Sequence, residues 1–232
     1  MVMRHRRAVA QCFTGAENER IRQATVAAES RTIGEIAVVV VDHSSLYLEA
    51  EVIGGVFLSG LLSLILTEAL FHASGSIGDF FFHSTMWLFI PLAIVLFYPC
   101  RLLFKRVPTL KFAFTGKRRR EKAVKERALK AFYEKGLYRT KDNTGMLFFL
   151  SLLERKVWVL ADKGIHGKIH QNQFNKLAGI VSKGIRDGRS CEALCEAIKE
   201  AGDLLARLYP ESGAHVDQLP DGVIYDTSKE VE

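Results

Sequence analysis

Two uncharged apolar runs placed back to back constrain this chain more than any other feature. Val52–Thr67 (VIGGVFLSGLLSLILT) carries no charge and stays apolar through Glu68 to Phe71. Phe80–Cys100 (FFFHSTMWLFIPLAIVLFYPC) continues apolar to Phe104 apart from Arg101. Each approaches the roughly 20 residues that a helix needs to cross a bilayer core. The link between them, HASGSIGD, has no Lys or Arg. A soluble domain holding two such helices would be unusually apolar, so the pattern predicts a transmembrane hairpin over 51–105. Pro91 and Pro99 are compatible with it, because neighbouring helices and local adjustment re-satisfy the freed carbonyls.

Charge sets the expected orientation. Arg101–Lys130 holds 12 Lys/Arg against only Glu121 and Glu126, whereas the whole chain of 232 residues carries a net charge of just +6. The basic character is therefore one block behind the second span, which is not the pattern of a nucleic-acid-binding protein. Arg4, Arg6 and Arg7 add positive charge at the start of the sequence. The positive-inside rule then puts both termini in the cytoplasm, with a two-span protein in the inner (cytoplasmic) membrane and only His72–Asp79 outside. The segment AVAQCFTGAENERIRQ lacks the apolar core of a signal peptide. Cys12, Cys100, Cys191 and Cys195 form no disulfide framework, and Cys191 and Cys195 read as small core residues rather than half of a zinc site.

The flanking segments read as alternating helices and strands. Thr14 and Glu17 have capping-box spacing, which opens a helix to about Glu29. Glu35–Asp42 is a β-branched run of the kind buried on both sheet faces. Arg118 to about Lys135 reads as a basic amphipathic helix stopped by Gly136. Met146–Leu153 and Lys156–Ala161 form a strand pair around the Glu154-Arg155 turn. Ile169–Ile185 is helical, and Ser190 caps a last helix to Tyr209. From Pro210 the acidic, turn-rich sequence predicts a mobile tail over 211–232. Neither half has enough strands to close a core alone. The first strand is thus expected to join the later hairpin in one sheet, giving a split domain over 14–50 and 117–210.

Three stretches carry a family resemblance: Ile33-Gly-Glu-Ile-Ala-Val-Val-Val40, Tyr138-Arg-Thr-Lys-Asp-Asn-Thr-Gly-Met-Leu147, and Glu154-Arg-Lys-Val-Trp-Val-Leu-Ala-Asp-Lys-Gly-Ile-His166. With Phe174…Gly188-Arg189 and Leu205…Tyr209-Pro210, the pattern resembles the TPM domain proteins, in the branch where a transmembrane hairpin interrupts the domain. The resemblance implies a three-layer α/β/α sandwich. It also implies phosphatase activity and divalent-cation binding (Ca²⁺ or Mg²⁺) in some members, and assembly or repair of membrane complexes in others.

Several residues are candidates for a cation or phosphate site. Asp142 and Asn143 precede a strand in a polar loop, where oxygen ligands suit Mg²⁺ or Ca²⁺. Thr144 and Gly145 allow a phosphate or a backbone to come close. Glu35 and Asp42 bracket the first strand and Asp162 ends the third. If strands one and three are neighbours, Asp42 and Asp162 sit at C-terminal strand ends, where open α/β sheets bind ligands. The plainer reading of Asp142–Gly145 and of Asp162-Lys163-Gly164 is turn chemistry. His166 and His170 have helical metal-pair spacing without the glutamate of a zinc protease, and read better as surface or capping residues. Glu68, His72, Asp79 and His83 gather around the outer link. No nucleophile elbow, phosphate loop or Cys-x₅-Arg nucleophile loop of the tyrosine-phosphatase kind occurs, the Cys100…Arg106 spacing lying at the end of the second apolar run, and no catalytic residue is assigned.

Function is accordingly expected to be binding or assembly at the cytoplasmic membrane surface, with the bilayer and a membrane protein complex as partners. A divalent-cation-dependent phosphatase is the alternative. Lys117, Arg118, Arg119, Arg120, Lys122 and Lys125 form a basic surface for anionic headgroups under either reading.

Overall fold

The computed structural model describes residues 12–45, 47–73, 81–107, 110, 114–140, 143–210, 220 and 222–226. The chain divides into two units, one of Met1–Ser45 with Glu121–Glu232 and the other Leu46–Arg120.

In the first unit, Thr14 closes a capping box with Glu17 and starts α1 (Gly15–Glu29). Strand β1 (Glu35–Val41) is buried at every position, as its unbroken β-branched run requires. After the second unit, α4 (Lys117–Glu134) ends near Gly136, which takes φ +76 and leads into a 3₁₀ turn, Leu137–Arg139. Then come β2 (Gly145–Ser151) and β3 (Lys156–Ala161), joined by a turn in which Arg155 adopts φ 51. A four-residue helix α5 (Lys163–His166), α6 (Gln171–Arg186), α7 (Ser190–Leu208) and a short β4 (Val223–Asp226) complete the unit.

The sheet order is β3-β2-β1-β4. Strand β1 runs parallel to β2 in the register Glu35↔Gly145 through Val41↔Ser151, and β2 is antiparallel to β3. The expected union of the first strand with the later hairpin is what is observed. Alternate residues of the buried strands feed two cores. Ile36, Val38, Val40, Met146, Phe148 and Leu150 face α1, α6 and α7, contacting Ile21, Phe174, Leu177, Leu194 and Ile198. Ala37, Val39, Val41, Leu147 and Phe149 face α4, contacting Val124, Ala128 and Phe132. The result is a three-layer α/β/α sandwich, as expected.

Three local expectations change. Residues 223–226 are not a mobile tail but a strand paired parallel with β1 from Val38↔Val223 to Val41↔Asp226. The acidic, turn-rich composition around it hid four residues that gain order from a neighbouring strand rather than from their own pattern. Ser190 is the first residue of α7 and not its cap; Arg189 occupies that position without a side-chain hydrogen bond. Helix α6 also begins at Gln171 rather than Ile169, with His170 before it and the separate turn of α5 at Lys163–His166.

In the second unit, α2 (Leu48–Ala73) and α3 (Phe81–Arg106) form a helical pair. Small and hydroxyl residues at helical spacing line the buried face of α2: Gly55, Ser59, Ser63 and Thr67. A Cβ on neighbouring Gly54 would meet the Phe104 ring at 2.3 Å, so glycine lets the two helices approach. Ser63 Oγ donates to the Phe89 carbonyl across the pair at 2.8 Å. Leu48–Leu70 and Trp87–Arg106 are each long and apolar enough to cross a membrane, with mean hydropathy 1.9.

Candidate functional site

Strand direction decides which candidates meet. Because β1 and β2 are parallel and β3 is antiparallel to β2, the starts of β1 and β2 share one sheet end with the finish of β3. Glu35 is opposite Gly145, and the Gly145 carbonyl accepts the Asp162 N–H at 2.9 Å. Side-chain alternation puts Glu35, Gly145 and Asp162 in one row, on the face covered by α4 and the 3₁₀ turn. Asp42 lies at the other end of β1. The proposed neighbourhood of Asp42 and Asp162 therefore does not occur: β1 and β3 are separated by β2 and run in opposite directions.

The row is sealed by backbone and oxygen atoms. A Cβ on Gly145 would lie 2.5 Å from the Leu137 carbonyl oxygen, so the glycine lets that carbonyl sit over the middle of the row. Thr140 Oγ1 donates to the same carbonyl at 3.3 Å and accepts the Thr144 N–H at 3.0 Å. Asn143 adopts φ 54, a conformation that Asn tolerates better than most residues. Thr144 Oγ1 donates to the Ile33 carbonyl at 3.2 Å, and Glu35 N–H donates to the Thr144 carbonyl at 3.2 Å. Thr144, Glu35 and Asp162 are all buried.

Asp162 divides its two oxygens. Oδ1 accepts the Lys163 N–H at 2.7 Å and caps α5. Oδ2 is buried without a hydrogen-bond partner among the described residues. A buried carboxylate oxygen in that state suits a cation or a donor brought by a ligand. Asp142 lies outside the described residues.

The family-like segments around this row are tied together. Thr32 Oγ1 donates to the Tyr209 carbonyl at 2.6 Å and accepts the Gly34 N–H at 3.2 Å. Tyr209 Oη donates to the Gly164 carbonyl at 2.7 Å. Glu29, which the sequence did not single out, accepts the Ile36 N–H at 2.6 Å through Oε1 while buried at the end of α1. Its glutamate at the last turn of a helix carries no local signal for that role.

At the opposite sheet end, Ser44 Oγ donates to Ser151 Oγ at 3.0 Å, and Ser151 Oγ donates to the Glu154 carboxylate. Glu154 Oε1 also accepts the Ser44 N–H at 3.0 Å. Nothing in the sequence links Ser44 to Glu154. His166 stacks near Phe174, with ring centroids 5.8 Å apart, rather than pairing with His170 on one helix. No cluster of three or more His, Cys, Asp or Glu side chains able to hold a metal occurs among the described residues.

Two other surfaces stand apart from this row. Lys117, Arg118, Arg119, Lys122 and Lys125 are exposed on α4 and Arg120 is half-buried. Arg119 pairs with Glu49, and Lys122 with Glu126 at 3.7 Å. A cleft of about 340 Å³ runs along β3, lined by Lys156, Val157, Trp158, Phe174, Ser182 and Arg186 among others. None of the candidate cation ligands lines it. In the outer group, Glu68 is exposed on α2 and Asp79 lies outside the described residues.

Comparison with known proteins places this arrangement. No curated protein matches the chain. The NMR structure of the BA42 protein from the psychrophilic bacterium Bizionia argentinensis superposes with a TM-score of 0.55 at 17% identity, covering 92% of this chain and 95% of that one. That likeness concerns the fold. Residues 108–204 match the TPM domain, from just before α4 into α7. The match begins behind the helical pair and leaves out α1 and β1, although β1 is hydrogen-bonded between β2 and β4. Residues 108–204 are thus similar to a TPM domain, and the sheet they belong to is completed by β1 and β4 from outside the matched segment.

Proposed function

We propose that α2 and α3 anchor the protein in a membrane and that its α/β unit is a docking module for a membrane protein complex at the cytoplasmic surface. The observation behind this reading is the pairing of β1 with β2 across the insertion. Two strands of one sheet lie on the same side of a bilayer, so the segment between them crosses it an even number of times. Two apolar helices meet that condition and one would not. Their outer side chains, such as Phe57 at 61%, Ile94 at 68% and Val95 at 69% exposure, suit lipid better than water. The exposed basic face of α4 favours anionic headgroups on the cytoplasmic side. Trp158, Phe174 and Arg186 give the cleft along β3 the aromatic and arginine content of protein interfaces.

Cysteines placed at Ser74 and Ser212 in a background lacking the native cysteines test the topology with an impermeant thiol reagent on intact cells. Labelling at 74 and protection at 212 are expected. Labelling at 212 alone reverses the orientation, and full extraction of the protein by alkaline carbonate removes the anchor.

A divalent-cation-dependent phosphatase is a second reading, favoured by the buried Asp162 Oδ2 in the row that Asp162 and Glu35 form on either side of Gly145. Oxygen donors of this kind fit Mg²⁺ or Ca²⁺, which would neutralise phosphate charge and activate water. Hydrolysis of a generic phosphomonoester that depends on Mg²⁺ and is lost in Asp162→Asn supports it. No hydrolysis in the detergent-purified full chain leaves docking as the reading.

A further inference from the structure

Strand β4 reaches the sheet differently from the other three. Pro210 bridges to Thr32, and Val223 pairs with Val38. The six residues from Thr32 to Val38 span about 20 Å of strand. The 13 peptide steps from Pro210 to Val223 can reach about 43 Å, so the connection is roughly twice as long as it needs to be. The strand is four residues long and half-buried throughout.

Its side chains are nevertheless read one by one. Val223 and Tyr225 pack against the core under α1, and Ile224 packs against the core under α4. Tyr225 Oη donates to Asn18 Oδ1 at 2.7 Å, on α1. Asp226 forms an ion pair with Arg127 of α4, whose side chain is only 14% exposed. Arg127 also reaches Glu134 at 3.1 Å, so it keeps one carboxylate when Asp226 leaves. Main-chain pairing plus alternate side-chain pockets is how sheet edges recognise extended peptides. The outer edge of β1, walled by α1 and α4, has that construction.

We propose that this edge is a docking groove for an extended apolar–apolar–tyrosine–acidic segment, filled by the chain's own residues 223–226 and open to the same segment of a second copy. Val38–Val41 are fully buried with β4 in place, so an empty groove exposes apolar strand and unpaired backbone. The connection is long enough in residues for the segment to leave one groove and enter a neighbouring one, and the chain itself supplies a sequence that fits.

The test uses the full chain in detergent. Asp226→Arg sets like charges opposite one another and expels the resident segment. A labelled peptide of residues 220–229 should then bind Asp226→Arg at least about tenfold more tightly than wild type, in which the tethered strand competes at an effective concentration in the millimolar range. Tyr225→Ala, which removes a different anchor, should open the groove in the same way, and thermal melts of both variants show whether they are folded. Equal or absent peptide binding to wild type and to both folded variants overturns the groove. Exchange between copies is read by mixing Arg127→Glu with Asp226→Arg, carrying different tags. Each groove then matches only the other copy's segment, and co-purification of the two tags is expected from the mixture. Peptide binding without such co-purification overturns the exchange between copies.

Discussion

Gly145 shows how one residue fixes the candidate site. Its missing side chain admits the Leu137 carbonyl, and an added methyl would meet that backbone oxygen at 2.5 Å. Backbone cannot move aside as a side-chain tip can, so Gly145→Ala should lower stability by about 1–3 kcal/mol in urea melts. A change below about 0.5 kcal/mol would show that the 3₁₀ turn gives way. Cysteine chemistry is also set by position. Burial pushes the Cys195 thiol up to about 11, and Cys191 beside it adds to the shift. At pH about 8 roughly one thiol in a thousand is then ionised, so iodoacetamide should modify Cys195 only after unfolding. Rapid modification in the folded protein would contradict that environment. At this scale the sequence was partly legible. Asp162 and Gly145 stood out as turn chemistry and Glu35 as the start of a strand. Their convergence was not, because it depends on β3 running against β2. The same dependence sent Asp42 to the wrong end.

Helix α1 gives the element-scale prediction. The Thr14 N–H and hydroxyl both donate to Glu17 Oε2 at 2.8 Å. These bonds, the backbone one first, hold the Glu17 carboxyl below its usual range. Hydrogen bonds from Arg22 and then Gln23 lower Glu19 further, to about 2. A depressed folded pKa means that the stabilisation is present above the unfolded value of 4.5 and is lost as pH falls through the folded one, here about 2. Both carboxylates are exposed, so salt should shrink the effect. Thr14→Ala should cost about 1 kcal/mol near neutral pH. It should also flatten the acid side of the stability profile in part, since Glu17 loses the hydroxyl's hydrogen bond but keeps that of the backbone N–H. Parallel curves for wild type and variant between about pH 5 and about pH 2 would disconnect the cap from the acid response. Helices and strands that carried their own signals were legible: the capping box, the β-branched run, the Gly136 stop. Strand β4 and helix α5 were not, since four residues hold too little periodicity to announce themselves and depend on a partner already in place.

For the whole molecule, the legible fact was partnership. Val38–Val41 needed apolar cover that only the later strands could supply, and they pair with β2 as expected. The strand order was not legible, because burial on both faces marks a strand as central without naming its neighbours. The first unit has its own two-sided core, so replacing residues 46–116 with a flexible linker should leave a folded α/β domain. Dispersed amide NMR signals and a cooperative melt are the expected result. A collapsed, non-cooperative product would mean that the helical pair is needed for the sheet to form.

The interruption between β1 and β2 also governs the order of events while the chain is being made. Synthesis proceeds at about 5–20 residues per second, so Val41 leaves the ribosome roughly 5–20 s before Ser151. For that interval seven consecutive strand residues, destined for complete burial, have no sheet to join. They stay uncovered until β2 arrives, and they register what happens next. Under the proposed membrane anchor, a chain in which only one of the two apolar helices enters the bilayer puts β2 on the far side and leaves β1 uncovered, an exposed apolar strand of the kind that proteases and chaperones recognise. Closure of the sheet would then act as a proofreading step, separating chains with paired crossings from those that stopped halfway.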